Sequence, residues 1–205
     1  MVDVDIYLEA ARAALAAIDP EQVAKAAELC LDCVMGGGKI LFCGNGGSAA
    51  DSQHFAGELV GRFRLERGAI PAIALTADTA VITSLANDYS FEMVFARQVE
   101  ALGRAGDVLV AITTSGRSPN VLMAIEKAHD LGLRVVAFTG SAGGPAADAA
   151  DVAVRAPSGE TSHAQEALLV AGHAICAAVE QGYAAASCGV QRLEPCPADR
   201  RGLHG

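Results

Sequence analysis

A histidine and a glutamate four residues apart are the first side chains in the sequence that are suited to chemistry. His54 and Glu58 fall in a helical pattern that continues to about Val60, so their spacing places both on one helix face. An imidazole and a carboxylate in this arrangement can share a divalent cation such as zinc. They can equally form a plain surface hydrogen-bonded pair, and the spacing alone leaves both interpretations open.

A second polar group lies in a helical pattern predicted over about 162–183. Gln165, Glu166 and His173 interrupt an otherwise apolar surface there, and polar side chains in such surroundings need partners. A satisfied core or interface histidine is the simpler interpretation of His173. Eight helical residues span about 12 Å. Gln165 and His173 therefore reach one ion only if it lies beside the helix, if the helix begins after Gln165, or if different subunits contribute them.

The segment from Thr113 to Ser118 has the composition of a phosphate-binding loop. Four of its six residues carry hydroxyl groups, and Gly116 allows a tight turn. Ser118 and Pro119 suit the N-cap and the first position of a helix, whose N-terminus favours an anion. A capped turn is the alternative interpretation, but capping accounts for one hydroxyl and not for four.

An earlier glycine-rich loop, Gly44-Asn-Gly-Gly-Ser48, also follows an apolar run. With Ala49 it fits the G-x-G-x-x-A pattern of dinucleotide-binding loops. The acidic residue expected about 20 positions later for a ribose is not well placed, because arginines occupy that stretch. Two Ser/Gly loops at the carboxyl ends of predicted strands suit a small phosphorylated ligand better than a dinucleotide.

The elements that must position these loops alternate along the chain. Apolar runs predict strands at 39–43, 71–75, 107–112, 134–138 and 151–155. Helical patterns precede them at 4–17 and 21–35, and others lie between them, including 91–102 and a helix ending near 129. We predict an α/β fold, a three-layer α/β/α sandwich with a five-stranded parallel sheet, flavodoxin-like or Rossmann-like, after two N-terminal helices. Ligands bind at the carboxyl ends of such strands, where both loops fall.

Composition and charge exclude several classes of function. The formal net charge of −9 counts against a basic surface for nucleic acid or anionic membranes. The sequence has no run of 18 apolar residues, and its first 20 residues carry acidic side chains rather than a basic leader. We therefore predict a cytoplasmic protein with neither a nucleic-acid nor a membrane partner.

No linker divides the sequence, so we predict one domain over 1–185 and a flexible tail over 186–205. Cys188 and Cys196 fall in this tail, and no role is assigned to them. Cys30-x-x-Cys33 has the spacing of half a metal or redox site, but it lies in a helical pattern with no second pair of matching spacing. We interpret it as a pair of packed thiols.

Taken together and in order, these segments resemble the phosphoheptose isomerases of the sugar isomerase (SIS) domain family. The resemblance covers about residues 5–184 and is carried by several segments. They are the string from Gly44 to Phe63, Pro71 to Leu75, Ala86 to Tyr89, Gly106 to Leu109, Thr113 to Asn120, and Pro157-Ser158 with Gln165, Glu166 and His173.

The resemblance implies a homotetramer with active sites at subunit interfaces and one zinc ion per subunit. It implies that His54, Glu58, Gln165 and His173 hold the metal or perform acid–base catalysis, with Glu58 and His173 as the catalytic pair. The substrate-binding residues that it implies are Asn45, Gly46, Gly47, Ser48, Glu58, Asn87, Asp88, Thr113, Thr114, Ser115, Ser118 and Gln165.

The reaction so implied is aldose–ketose isomerisation of sedoheptulose 7-phosphate and D-glycero-manno-heptose 7-phosphate through an enediol or enediolate, in heptose precursor biosynthesis. Such a reaction needs a base to move a proton between C1 and C2, and an acid to serve the oxygens. The alternative is a non-enzymatic SIS-fold tetramer that binds a protein such as the replication initiator DnaA. The presence of both Glu58 and His173 favours the enzyme.

Overall fold

The chain opens with two helices whose first turns are capped by aspartate side chains. In the computed structural model, which describes residues 3–187, these are α1 (Val4–Ala16) and α2 (Pro20–Met35). The carboxylates of Asp3 and Asp19 accept hydrogen bonds from backbone N–H groups two residues further on. Such bonds satisfy N–H groups that a helix otherwise leaves unpaired at its start. Both predicted N-terminal helices are confirmed.

Strands and helices then alternate through the rest of residues 3–187. The strands are β1 (Ile40–Gly44), β2 (Ala72–Ala74), β3 (Val108–Thr113), β4 (Arg134–Thr139) and β5 (Val152–Arg155). The helices are α3 (Gly47–Val60), α4 (Thr79–Asp88), α5 (Ala96–Leu102), α6 (Pro119–Asp130), α7 (Gly144–Ala149) and α8 (Thr161–Ser187). The strands are all parallel, in the order β2-β1-β3-β4-β5. The predicted five-stranded parallel sheet is confirmed.

The order of the strands reverses between β1 and β3, which lie side by side. From β1 the chain crosses to β2 at one edge and then returns to β3 on the other side of β1. The two strands pair in register from Ile40 opposite Val108 to Gly44 opposite Ile112. The loops that follow them therefore leave the same edge of the sheet, at the kind of reversal point where open parallel sheets bind ligands.

Helices cover both faces of the sheet, which confirms the three-layer α/β/α sandwich. On one face Phe42 of β1 packs in a core with residues of α2, α3 and α8. On the other face Leu41 packs with residues of α5 and α6. Every residue of β1 and β3 is buried, as expected for central parallel strands that are apolar on both sides.

The structure differs from the predicted elements at two places on the side of α5 and α7. The helix predicted over 91–102 is a 3₁₀ turn (Phe91–Met93) followed by α5, because Val94, Phe95 and Ala96 are buried in succession. A regular helix that packs through one face cannot bury three consecutive side chains. A second difference follows β4, where the chain forms α7, a short alanine-containing helix with proline in its first turn that the sequence pattern did not indicate.

The last helix, α8, is longer than the sequence pattern indicates. It continues past Tyr183 to Ser187 through three alanines, which are strong helix formers. The first two residues of the predicted tail, 186 and 187, are therefore helical, and the remainder, with Cys188 and Cys196, lies outside the described residues. No helix within residues 3–187 has both the length and the apolar character that crossing a bilayer requires.

Four cysteines of the described chain are free thiols in the interior, which confirms the interpretation of Cys30 and Cys33 as packed thiols. Burial raises the pKa of Cys33 to about 11 and that of Cys43 and Cys176 to about 12. Burial also raises the pKa of Cys30. Because the thiolate is the reactive form, both burial and protonation protect these side chains from alkylation.

We expect none of these four cysteines to be alkylated in the folded protein at pH 8. With their pKa values raised, the thiolate fraction stays small until the pH approaches those values or the chain unfolds. Brief treatment with iodoacetamide, followed by peptide mass spectrometry, measures each site separately from Cys188 and Cys196. Modification of the four peptides only after denaturation is the expected result. Labelling of any of them in the native protein at the rate of a free cysteine would contradict it.

Candidate active site

Two histidines and a glutamate meet where α3 and α8 pack against each other. His54 Nε2 lies 2.8 Å from His173 Nε2 and 3.4 Å from Glu58 Oε1. Gly172 allows this approach, because a Cβ there would overlap the ring of Phe55 on α3. The sequence predicts His54 and Glu58 as neighbours on one helix face, and the fold adds His173 from 119 residues away.

The donor atoms of this cluster fit a divalent cation. One ligand atom from each of His54, Glu58 and His173 lies within 4.8 Å of the others. Ligands at zinc-bond lengths in a tetrahedron are separated by roughly 3.3 Å, and two nitrogens with one oxygen form a donor set that zinc accepts. Three protein ligands with a further open position are typical of catalytic rather than structural zinc sites.

Gln165 lies near the start of α8, against the loop that follows β1. Its amide donates a hydrogen bond to Asp51 Oδ2 at 3.2 Å. It also packs so closely on Gly47 that a Cβ there would overlap it. The structure thus brings Gln165 to the first turn of α3, while His173 lies two turns further along α8. The role of Gln165 as a metal ligand stays a prediction.

Asp51 is a site residue that the sequence analysis missed. The residue is only 9% exposed, and its carboxylate accepts the hydrogen bond from Gln165. Burial raises the pKa of Asp51, while the Gln165 bond and the charges of His54 and His173 act in the opposite direction. The spacing of the sequence could have indicated this residue, because Asp51 precedes His54 by three positions and therefore lies on the same helix face.

The hydroxyl groups after β3 converge within their own loop. Thr113 Oγ1 lies 3.0 Å from Ser118 Oγ and 3.3 Å from Ser115 Oγ. Ser118 is the N-cap of α6, yet its side chain makes no capping bond. The capped-turn interpretation is therefore wrong for this hydroxyl, which is directed toward Thr113. Thr114 accepts a backbone hydrogen bond from Gly140, which ties the loop to the end of β4.

An exchange of amide hydrogen bonds joins the two loops. Asn45 Nδ2 donates to Asn120 Oδ1, and Asn120 Nδ2 donates back to Asn45 Oδ1, both at 2.8 Å. Asn120 is buried at the start of α6. Its role was missed because nothing in the sequence indicates that positions 75 residues apart face each other. The pair fixes Asn45 relative to the hydroxyl loop.

The remaining predicted residues lie at different places. Gly46, with φ +58, precedes the first residue of α3, and Ser48 is buried in the first turn of that helix. Asn87 and Asp88 are exposed at the end of α4, where Asn87 Nδ2 donates to Asp88 Oδ1 at 2.8 Å. Among the residues that the structure describes, these two side chains bond to each other rather than to the loops or the cluster. Their contact with a sugar stays a prediction.

Comparison with known proteins identifies relatives over most of the chain. The family described as SIS domain matches residues 6–140. The phosphoheptose isomerase of Shewanella sediminis (strain HAW-EB3) is 53% identical over 160 residues, which cover 77% of this chain and 81% of that protein. The structure of phosphoheptose isomerase GmhA from Neisseria gonorrhoeae is similar with a TM-score of 0.80 and 44% identity, over 86% of this chain and 97% of the other. A phosphoheptose isomerase structure from Francisella tularensis gives a TM-score of 0.83 and 41% identity, over 87% and 96%.

Proposed function

The chain belongs to the SIS domain family, among its phosphoheptose isomerases, and we propose that it interconverts sedoheptulose 7-phosphate and D-glycero-manno-heptose 7-phosphate. The observation that carries the proposal is the presence of two candidate sites on elements that are neighbours in the fold. A loop of converging hydroxyls follows β3, and the His54–Glu58–His173 cluster lies on helices that pack beside β1. One site suits the phosphate and the other suits the reacting carbons.

The hydroxyl loop binds the phosphate in this proposal. Thr113, Ser115 and Ser118 supply hydroxyl donors, and the N-terminus of α6 supplies a favourable dipole. Thr114 is included by family resemblance. Binding the phosphate at one end of the sugar uses interactions remote from the chemistry to hold C1 and C2 beside the carboxylate. Hydrogen bonds with Asn120 fix Asn45 relative to this loop.

Glu58 and His173 divide the proton transfers between carbon and oxygen. In the aldose-to-ketose direction, Glu58 takes the proton from C2, the electron pair forms the C1–C2 double bond, and the carbonyl oxygen at C1 receives a proton from His173. Glu58 then returns its proton to C1, while the hydroxyl at C2 gives its proton to His173 and becomes the ketone. The steps balance without an oxidant, and each transfer is general acid–base catalysis.

The same side chains are candidates for holding zinc, together with Gln165. When bound, the ion supplies a Lewis acid that polarises the sugar oxygens or orders the site. The two functions compete at His173, because a ring nitrogen that coordinates an ion has no lone pair left for a proton. Glu58 has two oxygens and is not limited in this way. His54 is the more exposed imidazole of the pair.

A homotetramer with active sites at subunit interfaces is part of this proposal. Apolar side chains on α1 are exposed in the single chain, among them Val4 at 66% and Ile6 at 68%. Burying such side chains against another copy of the chain removes apolar surface from water. Asn87 and Asp88 are also exposed, so a neighbouring copy can bring further groups to them.

The direct test is conversion of sedoheptulose 7-phosphate by the purified protein, followed by NMR of the aldose product. We expect turnover that is lost on chelation and restored by zinc, and that is lost in the His173→Ala variant. Turnover that persists in the chelated enzyme would remove the metal from the proposal while keeping the acid–base pair. Absence of turnover in an intact tetramer with zinc would contradict the proposed function, and binding to DnaA would then be measured.

A further inference from the structure

A buried ion pair lies beyond the cluster, between the loop that follows α3 and the C-terminal half of α8. Arg67 Nε lies 3.2 Å from Glu180 Oε1, and the two side chains are only 2% and 1% exposed. Burial by itself raises the pKa of Glu180, but its backbone N–H donors and Arg67 outweigh that effect, and the pKa is lowered. The pair is therefore ionised inside the protein, where a charge is costly unless it is paired and hydrogen-bonded.

The compensation comes from the backbone of the loop. The Glu180 carboxylate accepts hydrogen bonds from the N–H groups of Phe63, Arg64 and Leu65 at 2.7–3.1 Å. The Arg67 guanidinium donates to three carbonyl oxygens, those of Glu58 and Gly61 at 2.8 Å and that of Gly68 at 3.1 Å. These six bonds fix the conformation of residues 61–68 and attach the loop to the end of α3 that carries Glu58.

The loop in turn places an aromatic ring on His173. The Phe63 ring is nearly parallel to the His173 imidazole, with an interplanar angle of 5° and a centroid separation of 5.5 Å. The Arg64 guanidinium lies over the Phe63 ring at 5.0 Å. A parallel ring at this distance is a favoured stacking arrangement, and it restricts rotation of the imidazole that faces His54 and Glu58.

We propose that Arg67 and Glu180 are positioning residues, which hold Phe63 against His173 and thereby set the orientation of its imidazole for proton transfer or metal binding. This inference rests on the proposed function only where it assigns the oriented His173 imidazole to proton transfer or metal binding. A buried ion pair is weak evidence for stability, because apolar replacements often stabilise as well. Its specific consequence here is one loop conformation. Groups that orient a ligand histidine commonly affect metal affinity or activity by 10–100-fold.

The test compares Glu180→Gln with Phe63→Leu and with Glu100→Gln. The glutamine substitution at position 180 keeps the size of the side chain but removes the charge and one acceptor. The leucine substitution at position 63 removes the planar ring while leaving the ion pair intact. Glu100 forms a half-exposed pair with Arg97 on α5, so its change to glutamine is the matched control. The primary measurement is the NMR chemical shift of the His173 ring, which responds to the stacked phenyl ring.

We expect Phe63→Leu and Glu180→Gln to move the His173 resonances in the same direction, and to lower kcat by about 10–100-fold with KM changed by less than about twofold. Glu100→Gln should change neither. His173 resonances that stay at their wild-type position in folded Glu180→Gln would overturn the proposal, even if its melting temperature falls. If Glu180→Gln does not fold, unchanged resonances and kcat in Phe63→Leu would overturn it. A wild-type protein without isomerase activity would contradict the proposed function but not this inference, because the His173 resonances are measured without turnover.

Discussion

Turnover of sedoheptulose 7-phosphate should fall by about 10³-fold when Glu58 is replaced by glutamine, which is within the range that a general base contributes. The amide has the same size as the carboxylate but cannot accept a proton from carbon. The Glu58 side chain is only 21% exposed and lies 3.4 Å from His54, and an amide of the same size can keep this local packing. Steady-state kinetics at saturating zinc measures the loss apart from any decrease in metal affinity.

Binding of the phosphate end should survive the same change, because the hydroxyl loop lies on β3 and α6 rather than on α3. In the wild-type enzyme, phosphate binding is measured as inhibition by inorganic phosphate in competition with the substrate. In Glu58→Gln it is measured by direct titration with inorganic phosphate. Glu66→Gln is the control, since Glu66 has a side chain 90% exposed in the loop after α3. Substantial turnover by Glu58→Gln would exclude this carboxylate as the base.

Replacement of Gly116 by alanine should weaken binding at the hydroxyl loop and raise KM by about 100-fold, which corresponds to the loss of one or two hydrogen bonds to a charged group. Gly116 has φ +67, and a Cβ there would overlap the carbonyl oxygen of Gly143. The loop can relieve that overlap only by moving away from the turn before α7, which breaks the bond from Ala146 N–H to the Gly116 carbonyl. Thr113, Ser115 and Ser118 then no longer converge. Phosphate titration and kinetics measure the loss.

Gly37→Ala separates backbone strain from steric overlap in this experiment. Gly37 has φ +84, but nothing lies within 4 Å of a Cβ at that position. A left-handed conformation costs a residue other than glycine about 1–2 kcal/mol, so this variant should lose that much stability and keep its KM. Thermal unfolding and kinetics of the two variants side by side give the comparison. Wild-type phosphate affinity in Gly116→Ala would show that the loop tolerates displacement.

The sequence predicts the features that depend on neighbouring residues and on strand order. His54 and Glu58 share a face because four residues make about one helical turn. Both loops are predicted at one edge because the carboxyl ends of parallel strands lie together. The break before α5 was not predictable from periodicity, because the burial of Val94 to Ala96 depends on packing against the sheet.

Contacts between distant parts of the chain could not be predicted from spacing. Asn45 and Asn120 pair only because β1 and β3 are neighbours in the sheet. Phe63 has the sequence context of an ordinary loop aromatic, and only the fold shows that Glu180, 117 residues later, accepts its backbone N–H. His173 was a candidate by its polar type in an apolar helix, but its partner His54 follows from the close approach of α8 to α3 at Gly172.

The position of α8 at the end of the described chain has a consequence for the order in which the protein matures. During synthesis on the ribosome, α3 and both ligand loops are made before α8, so His54 and Glu58 exist for a time without His173. The three-residue cluster can be completed only when α8 packs against α2 and α3. A metal ion that needs all three residues could therefore bind only after α8 has docked, and its binding free energy would favour the docked position of this helix.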